Sequence, residues 1–180
     1  MARGPVAGTH PVGGRSRGFG RSEEFGRSEG FSRSVGSGVL AGIGVAAFVD
    51  ETVFHQLLHW HHFYDRSTPT AGLVSDGFFH AGGWIAIVAA LFCYADLQRR
   101  QVLSRSRWVG GILAGWGFFQ LYDGLAQHKV LRLHQIRYHV HLLPYDLIWD
   151  IAGGVGLLLG IRLLVRAARG SRNPAAAPGR

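Results

Sequence analysis

The sequence predicts an all-α integral membrane protein, a four-helix bundle built from two tandem helical hairpins between disordered polar tails. Three observations carry that expectation: four apolar segments of membrane-crossing length, an internal repeat at a shift of 73 residues, and Arg gathered on one side of those segments. Average composition conceals it. Over 180 residues, 47% apolar content, a net charge of +8 and a mean hydropathy of +0.12 look almost soluble. The polar, Arg-rich ends dilute an apolar middle of roughly 130 residues, which is room for four spans of about 20 residues each.

Residues 1–34 contain the degenerate repeat FGRSEEFGRSEGFSRS, with Phe19, Phe25 and Phe31 recurring among Gly, Arg and Ser. Such a segment cannot bury a core, so disorder is expected, as it is for the basic stretch 167–180. A solvated cytoplasmic tail is favoured over a nucleic-acid or anionic-lipid contact. The N-terminal stretch is unlike a secretory signal, so the first span is expected to stay in the mature protein.

The membrane domain is expected over 35–166, with spans at about 35–62, 76–97, 108–130 and 145–166. Only the second, through Gly77 to Ala95, is uncharged over a membrane thickness. The first opens with GSGVLAGIGVAAFV and then takes on Asp50 and Glu51. The third reaches Tyr122 before Asp123, and the fourth begins with Asp146 and Asp150. Cys93 lies in an apolar run and reads as a small core residue.

Charge sets the expected orientation. The N-terminal tail, the connection 97–107 and the C-terminal end hold fifteen of the nineteen basic residues. Cytoplasmic segments keep such an excess, so both termini are expected inside an inner (plasma) membrane crossed several times. The connections at about 63–75 and 131–144 then face outward.

A shift of 73 residues aligns GVLAGIGVAAFVDETVFHQLLHWHH, from Gly38, with GILAGWGFFQLYDGLAQHKVLRLHQ, from Gly111. Nine of 25 positions are identical, and the polar identities form one pattern, Asp-x4-His-x5-His: Asp50, His55 and His61 over Asp123, His128 and His134. A shift of 70 places Asp76 and His80 over Asp146 and Asp150. Two hairpins of one orientation imply a pseudo-two-fold axis along the membrane normal. The pairs Gly38/Gly42, Gly111/Gly115 and Gly156/Gly160 have small-xxx-small spacing, which suits close helix packing and offers faces for a homo-oligomer.

Nine of the ten histidines lie in the outward half with seven carboxylates. Ionisable groups at membrane depth are costly and are usually paired or functional. At α-helical spacing Glu51, His55, His59 and His62 form one stripe, and Asp76 shares a face with His80. Imidazoles and carboxylates converging from facing helices build metal sites in bundles. The expected ligands are His55, His59, His80 and His128, with Asp50, Asp76, Asp123, Asp146 and Asp150 as further ligands or their partners. Copper, zinc and iron all accept this mixture, and haem is less favoured. His61, His62, His134, His139 and His141 suit the headgroup interface instead.

His55-x3-His59 has zincin spacing, but Gln56 stands where that motif places its Glu. Three function classes remain. The leading one is a membrane protein that binds a transition metal at its extracytoplasmic side. A membrane-embedded metal-dependent hydrolase or oxidase, with Glu51 as candidate base, and a proton-coupled transporter are the alternatives. The third is weakened by nearly uncharged inner helix halves.

The pieces AFVDETVFHQLLHWHH, SDGFFHA, LYDGLAQHKVLRLHQIR and PYDLIWD, within about 46–151, resemble a bacterial membrane family catalogued as domain of unknown function 2243. The resemblance implies a small multi-pass membrane protein and no activity. The family pattern has Asp-Gly where this chain has Asp50-Glu51, and His-His where it has His134-Gln135.

Overall fold

The computed structural model describes the backbone of residues 16–172 and the side chains of residues 28–171. The tails at 1–15 and 173–180, expected to be disordered, lie outside the described residues. All regular structure among the described residues is helical. There are four long helices: α1, Ser16–Asp50; α2, Pro69–Arg99; α3, Arg105–Leu121; and α4, Leu142–Arg172. Both α1 and α3 continue into π-helical turns, Glu51–Leu57 and Tyr122–Val130.

Three helical segments are long and apolar enough to cross a membrane: Ser28–Leu57, Pro69–Arg99 and Leu142–Ser171, with mean hydropathies of 1.5, 1.7 and 1.8. The third expected span, 108–130, is not among them. Its α-helical part has only 17 residues, about 26 Å at 1.5 Å per residue, and its π-helical continuation carries Asp123, Gln127, His128 and Lys129. Yet α3 is central. It packs along α1, while α2 lies against the other side of α1 and α4 against the other side of α3.

The interior is made of small and polar residues and the outside of large apolar ones. Phe78, Ile85 and Phe92 on α2, and Ile148, Ile151 and Leu158 on α4, are exposed. Between α1, α2 and α3 sits a modest apolar core of Ala46, Ala47 and Phe119, backed by Ile43, Phe79 and Trp116. Such an inversion suits a lipid surround, where apolar side chains gain nothing by turning inward. Cys93, expected in the core, is exposed, because α2 turns its apolar outer face away from α1.

Glycine sets the central crossing. A Cβ on Gly42 would strike the carbonyl oxygen of Ile112, and one on Gly115 the carbonyl oxygen of Val39. Val39 and Ile112 are themselves 73 residues apart, so the contact is made twice in equivalent form. All three small-xxx-small pairs are used within the chain: Gly38 and Gly42 against α3, Gly111 and Gly115 against α1, and Gly156 and Gly160 against α3. The oligomer faces expected of them are therefore occupied.

Helix ends follow local chemistry. Thr68 caps α2 by accepting from the Ala71 N–H at 3.2 Å, with Pro69 opening the first turn. At the opposite end of the molecule, the Ser104 N–H donates to Ser34 Oγ at 3.0 Å and Arg33 pairs with Asp96 at 2.9 Å. These bonds hold Gly30–Ser34 in α1, although 1–34 was expected to be disordered; α1 begins at Ser16. Similarly, α4 continues past residue 166 to Arg172.

Candidate metal centre

Each π-helical turn solves a spacing problem. In an α-helix, residues five apart point about 140° away from one another, whereas a turn closed from i to i+5 stacks them. Asp50 and His55 are five apart, as are Asp123 and His128, and the π turns bring each pair to one side. The Leu58 N–H donates to Val53 O at 2.9 Å, and the Leu131 N–H to Ala126 O at 2.7 Å. Each turn ends on a left-handed residue, His59 with φ 51° and Arg132 with φ 52°. That reversal drops His61 and His134 back under the helix ends.

Six side chains meet there, three from each half: Asp50, His55 and His61 with Asp123, His128 and His134. All are at least nine-tenths buried. The imidazole rings form a row, with centroid separations of 4.3 Å for His55–His61, 4.5 Å for His61–His134 and 4.7 Å for His134–His128. The donor atoms of Asp50, His55 and His61 lie within 4.8 Å of one another, as do those of His61, His128 and His134. A third group, Glu51, His55 and Asp76, adjoins them.

Hydrogen bonds orient the rings. His61 Nδ1 donates to Ile136 O and His134 Nδ1 to Phe63 O, both at 2.9 Å, and these two bonds are also related by the 73-residue shift. His55 Nδ1 lies 2.9 Å from Glu51 Oε2 and 3.1 Å from Asp76 Oδ1. With Nδ1 engaged, the lone pair of each ring is on Nε2. Those Nε2 atoms are buried and without a hydrogen-bond partner among the described residues, as are both ring nitrogens of His128. They face carboxylates: His55 Nε2 lies 3.8 Å from Asp50 and His134 Nε2 3.6 Å from Asp123, both beyond hydrogen-bond distance, while His128 Nε2 approaches Asp123 to 3.2 Å. Two donors on one tetrahedral ion, each about 2.1 Å from it, sit about 3.4 Å apart.

The first apolar span ends at Leu57, which leaves His61 in the connection after it. Burial first, and then the neighbouring imidazoles of His55, His134 and His128, push His61 down to about 2. It is therefore neutral, as a metal-binding imidazole must be. In the facing connection, burial and then the charge of Asp65 push the Tyr138 phenol up.

Outside the six, the halves diverge. Asp76 accepts from His55, from His62 Nδ1 at 2.6 Å and from the Phe63 N–H at 2.7 Å. Its counterpart Asp146 lies 3.9 Å from His128 Nδ1 and 3.8 Å from Lys129. Glu51 holds Gln56 at 2.7 Å. The position matching Glu51 is Gly124, where a Cβ would strike Asp150, and that carboxylate pairs with Lys129 at 2.8 Å. Lys129 occupies the place of Gln56. The first half thus sets carboxylates of both its helical segments, Glu51 and Asp76, behind His55, whereas the second half has only those of α4, Asp146 and Asp150, in the corresponding places.

The structure brings His55, His128, Asp50, Asp76 and Asp123 together and does not bring in His59 or His80. His59 is exposed beyond the π turn, because the α-helix ends at Asp50 and the π turn that follows stops at Leu57, so α-helical spacing does not reach it. His80 packs on Phe48, with centroids 5.4 Å apart. His139 and His141 are exposed, and His62 covers Asp76. His61 and His134, expected at the interface, are instead buried in the row of rings, 6% and 2% exposed. The Asp-x4-His-x5-His identity was the signal that could have found them. Glu51, the candidate base, is fully buried on the Nδ1 side of His55, held by His55 and Gln56.

Comparison with curated proteins and with solved structures finds no match. Residues 37–167, which contain the whole centre, match the family described as "Predicted membrane protein (DUF2243)", and the chain belongs to that family.

Proposed function

We propose that this membrane protein holds a transition metal in the buried Asp/His centre, with Asp50, His55, His61, Asp123, His128 and His134 as ligands. The observation that carries the reading is the convergence of buried imidazoles, among which the Nε2 atoms of His55 and His61 have no hydrogen-bond partner among the described residues while their Nδ1 atoms are fixed by hydrogen bonds. A purely structural Asp–His network would use those Nε2 atoms in hydrogen bonds, since a buried donor or acceptor left unpaired costs about 1–3 kcal/mol. Nitrogen and carboxylate donors suit divalent zinc, iron, manganese or copper. Soft sulfur ligands are missing from the set, as the lone Cys93 faces outward on α2, and this disfavours copper(I).

In this reading the membrane domain is two tandem hairpins, α1–α2 and α3–α4, which form four spans. Besides the 73-residue equivalences, Gly44 packs on Ile87 as Gly117 packs on Leu157, a pairing that carries the 70-residue shift between α2 and α4. Both termini lie in the cytoplasm of an inner-membrane protein, where most of the Arg is, and the centre lies towards the extracytoplasmic side.

Elemental analysis of the full chain, purified in detergent without chelator, tests the proposal. Bound metal is expected in the wild type and its loss in His61→Ala and in His134→Ala. A metal-free wild type under metal-replete expression, or full occupancy in the double variant His55→Ala/His128→Ala, would reject it.

A further inference from the structure

The two halves of the centre match residue for residue inside, and they differ at their outer walls. On the first side His55 is sealed. His62 lies over Asp76, Phe63 N–H donates to the same carboxylate, and both Asp76 and His55 are 1% exposed. The cleft outside, about 380 Å³, is lined by His59, Trp60, His61, His62, Asp65 and Tyr138. It stops at His61.

On the second side the residue in the place of His62 is Gln135. It is exposed, and among the described residues no hydrogen bond joins it to Asp146, whose side chain is 20% exposed. The matching cleft, about 420 Å³, runs past His134 to His128, Lys129 and Asp146. His128 is accordingly 8% exposed against 1% for His55. The imidazole of His62, which covers Asp76 on the first side, has the exposed Gln135 in its place on this one.

Charge in the deeper cleft favours an anion. Arg66, Lys129 and Arg132 line it, and Arg132 makes no ion pair among the described residues. These three basic groups outnumber its two acids: Asp65 accepts from the His62 N–H at 3.0 Å, and Asp146 lies 3.8 Å from Lys129, which also pairs with Asp150 at 2.8 Å. A divalent ion at the floor adds further positive charge.

We propose that the metal centre is open on the His128 side only, and that the cleft there admits a small anionic ligand to a coordination position on the metal. This rests on the metal reading above, and the test separates the two. Full-length protein loaded with copper(II) is titrated with azide, and the azide-to-copper charge-transfer band is followed, with copper content measured for every variant.

Wild type is expected to give a saturable band. Gln135→His, which supplies an imidazole to cover Asp146 as His62 covers Asp76, and Leu142→Trp, which fills the cleft from its wall, are each expected to weaken azide binding by at least about tenfold at unchanged copper content. His62→Gln opens the first side and is expected to strengthen the band. A wild type that takes up no copper sinks the metal reading itself. Copper at wild-type level with no azide band, or with azide affinity unchanged in both Gln135→His and Leu142→Trp, overturns the one-sided opening and leaves the metal reading standing.

Discussion

His61 and His134 stack face to face at the centre of the molecule, their rings 4.5 Å apart and 5° from parallel, each anchored through Nδ1 to a carbonyl of the other half. Neither ring can turn without breaking a bond between the two halves of the chain. The pair therefore joins the two halves and presents two Nε2 atoms at once.

The correspondence of their hydrogen bonds at the 73-residue shift makes His61→Ala and His134→Ala a matched pair. Each removes one ligand and one cross-half hydrogen bond, so both are expected to lower metal affinity by a similar factor, on the order of 100-fold or more given that partners behind a ligand alone account for about 10–100-fold. Competition with a chelator of known affinity measures this. His59→Ala and His80→Ala are expected to bind as wild type does.

Asp76 and Asp146 occupy matching positions with unequal duties. Asp76→Asn leaves His55, His62 and the Phe63 N–H with a weaker acceptor, and is expected to destabilise the protein by about 2–3 kcal/mol. Asp146→Asn, at a partly exposed site with longer contacts, is expected to cost under about 1 kcal/mol. Thermal unfolding in detergent compares them, and equal losses would contradict the asymmetry of the two sides.

The crossing of α1 and α3 depends on bare backbone at Gly42 and Gly115. Gly42→Ala and Gly115→Ala each place a methyl against a carbonyl oxygen and are expected to cost about 1–3 kcal/mol. Nothing lies within 4 Å of a Cβ built on Gly154. Gly154→Ala is thus expected to be neutral or to stabilise by up to about 1 kcal/mol through helix propensity.

Burial and its imidazole neighbours hold His61 at about 2, against about 6.5 in an unfolded chain. Because the folded value is depressed, the unfolded state takes up the proton first. The stability that follows is complete above about pH 6.5 and is lost progressively as pH falls from there towards 2. The groups facing His61 are His55, His128, His134, Asp123 and Asp50. Metal-free protein is expected to melt at a lower Tm at about pH 5 than at about pH 7.5, and His61→Leu to flatten that dependence. A Tm that rises on acidification would contradict a neutral His61.

Much of the architecture was legible along the chain. Apolar length marks α1, α2 and α4, and the 73-residue shift pairs the glycines at the crossing and Asp50 and His55 with Asp123 and His128, whereas His61 and His134 were expected at the headgroup interface. The ligand choice was less legible. Counting at α-helical spacing joins Glu51, His55, His59 and His62 into one stripe, and that count fails from Glu51, where the α-helix gives way to a π turn that ends at Leu57 before the backbone reverses at His59. On the same count His61 falls off the stripe and into the headgroups.

The sequence by itself determined that the chain is helical and apolar, that its polar groups gather at one end, and that Asp-x4-His-x5-His occurs twice, because length, hydropathy and repetition are properties of the chain alone. Only the tertiary structure decided which histidines converge. Asp50 ends an α-helix, His55 sits on a π turn and His61 follows a left-handed residue, so no single periodicity relates them, and His61 is oriented by Ile136 of the other half. The same holds for the open side: whether the residue after His61 or His134 covers a carboxylate depends on how each connection lies against α2 or α4.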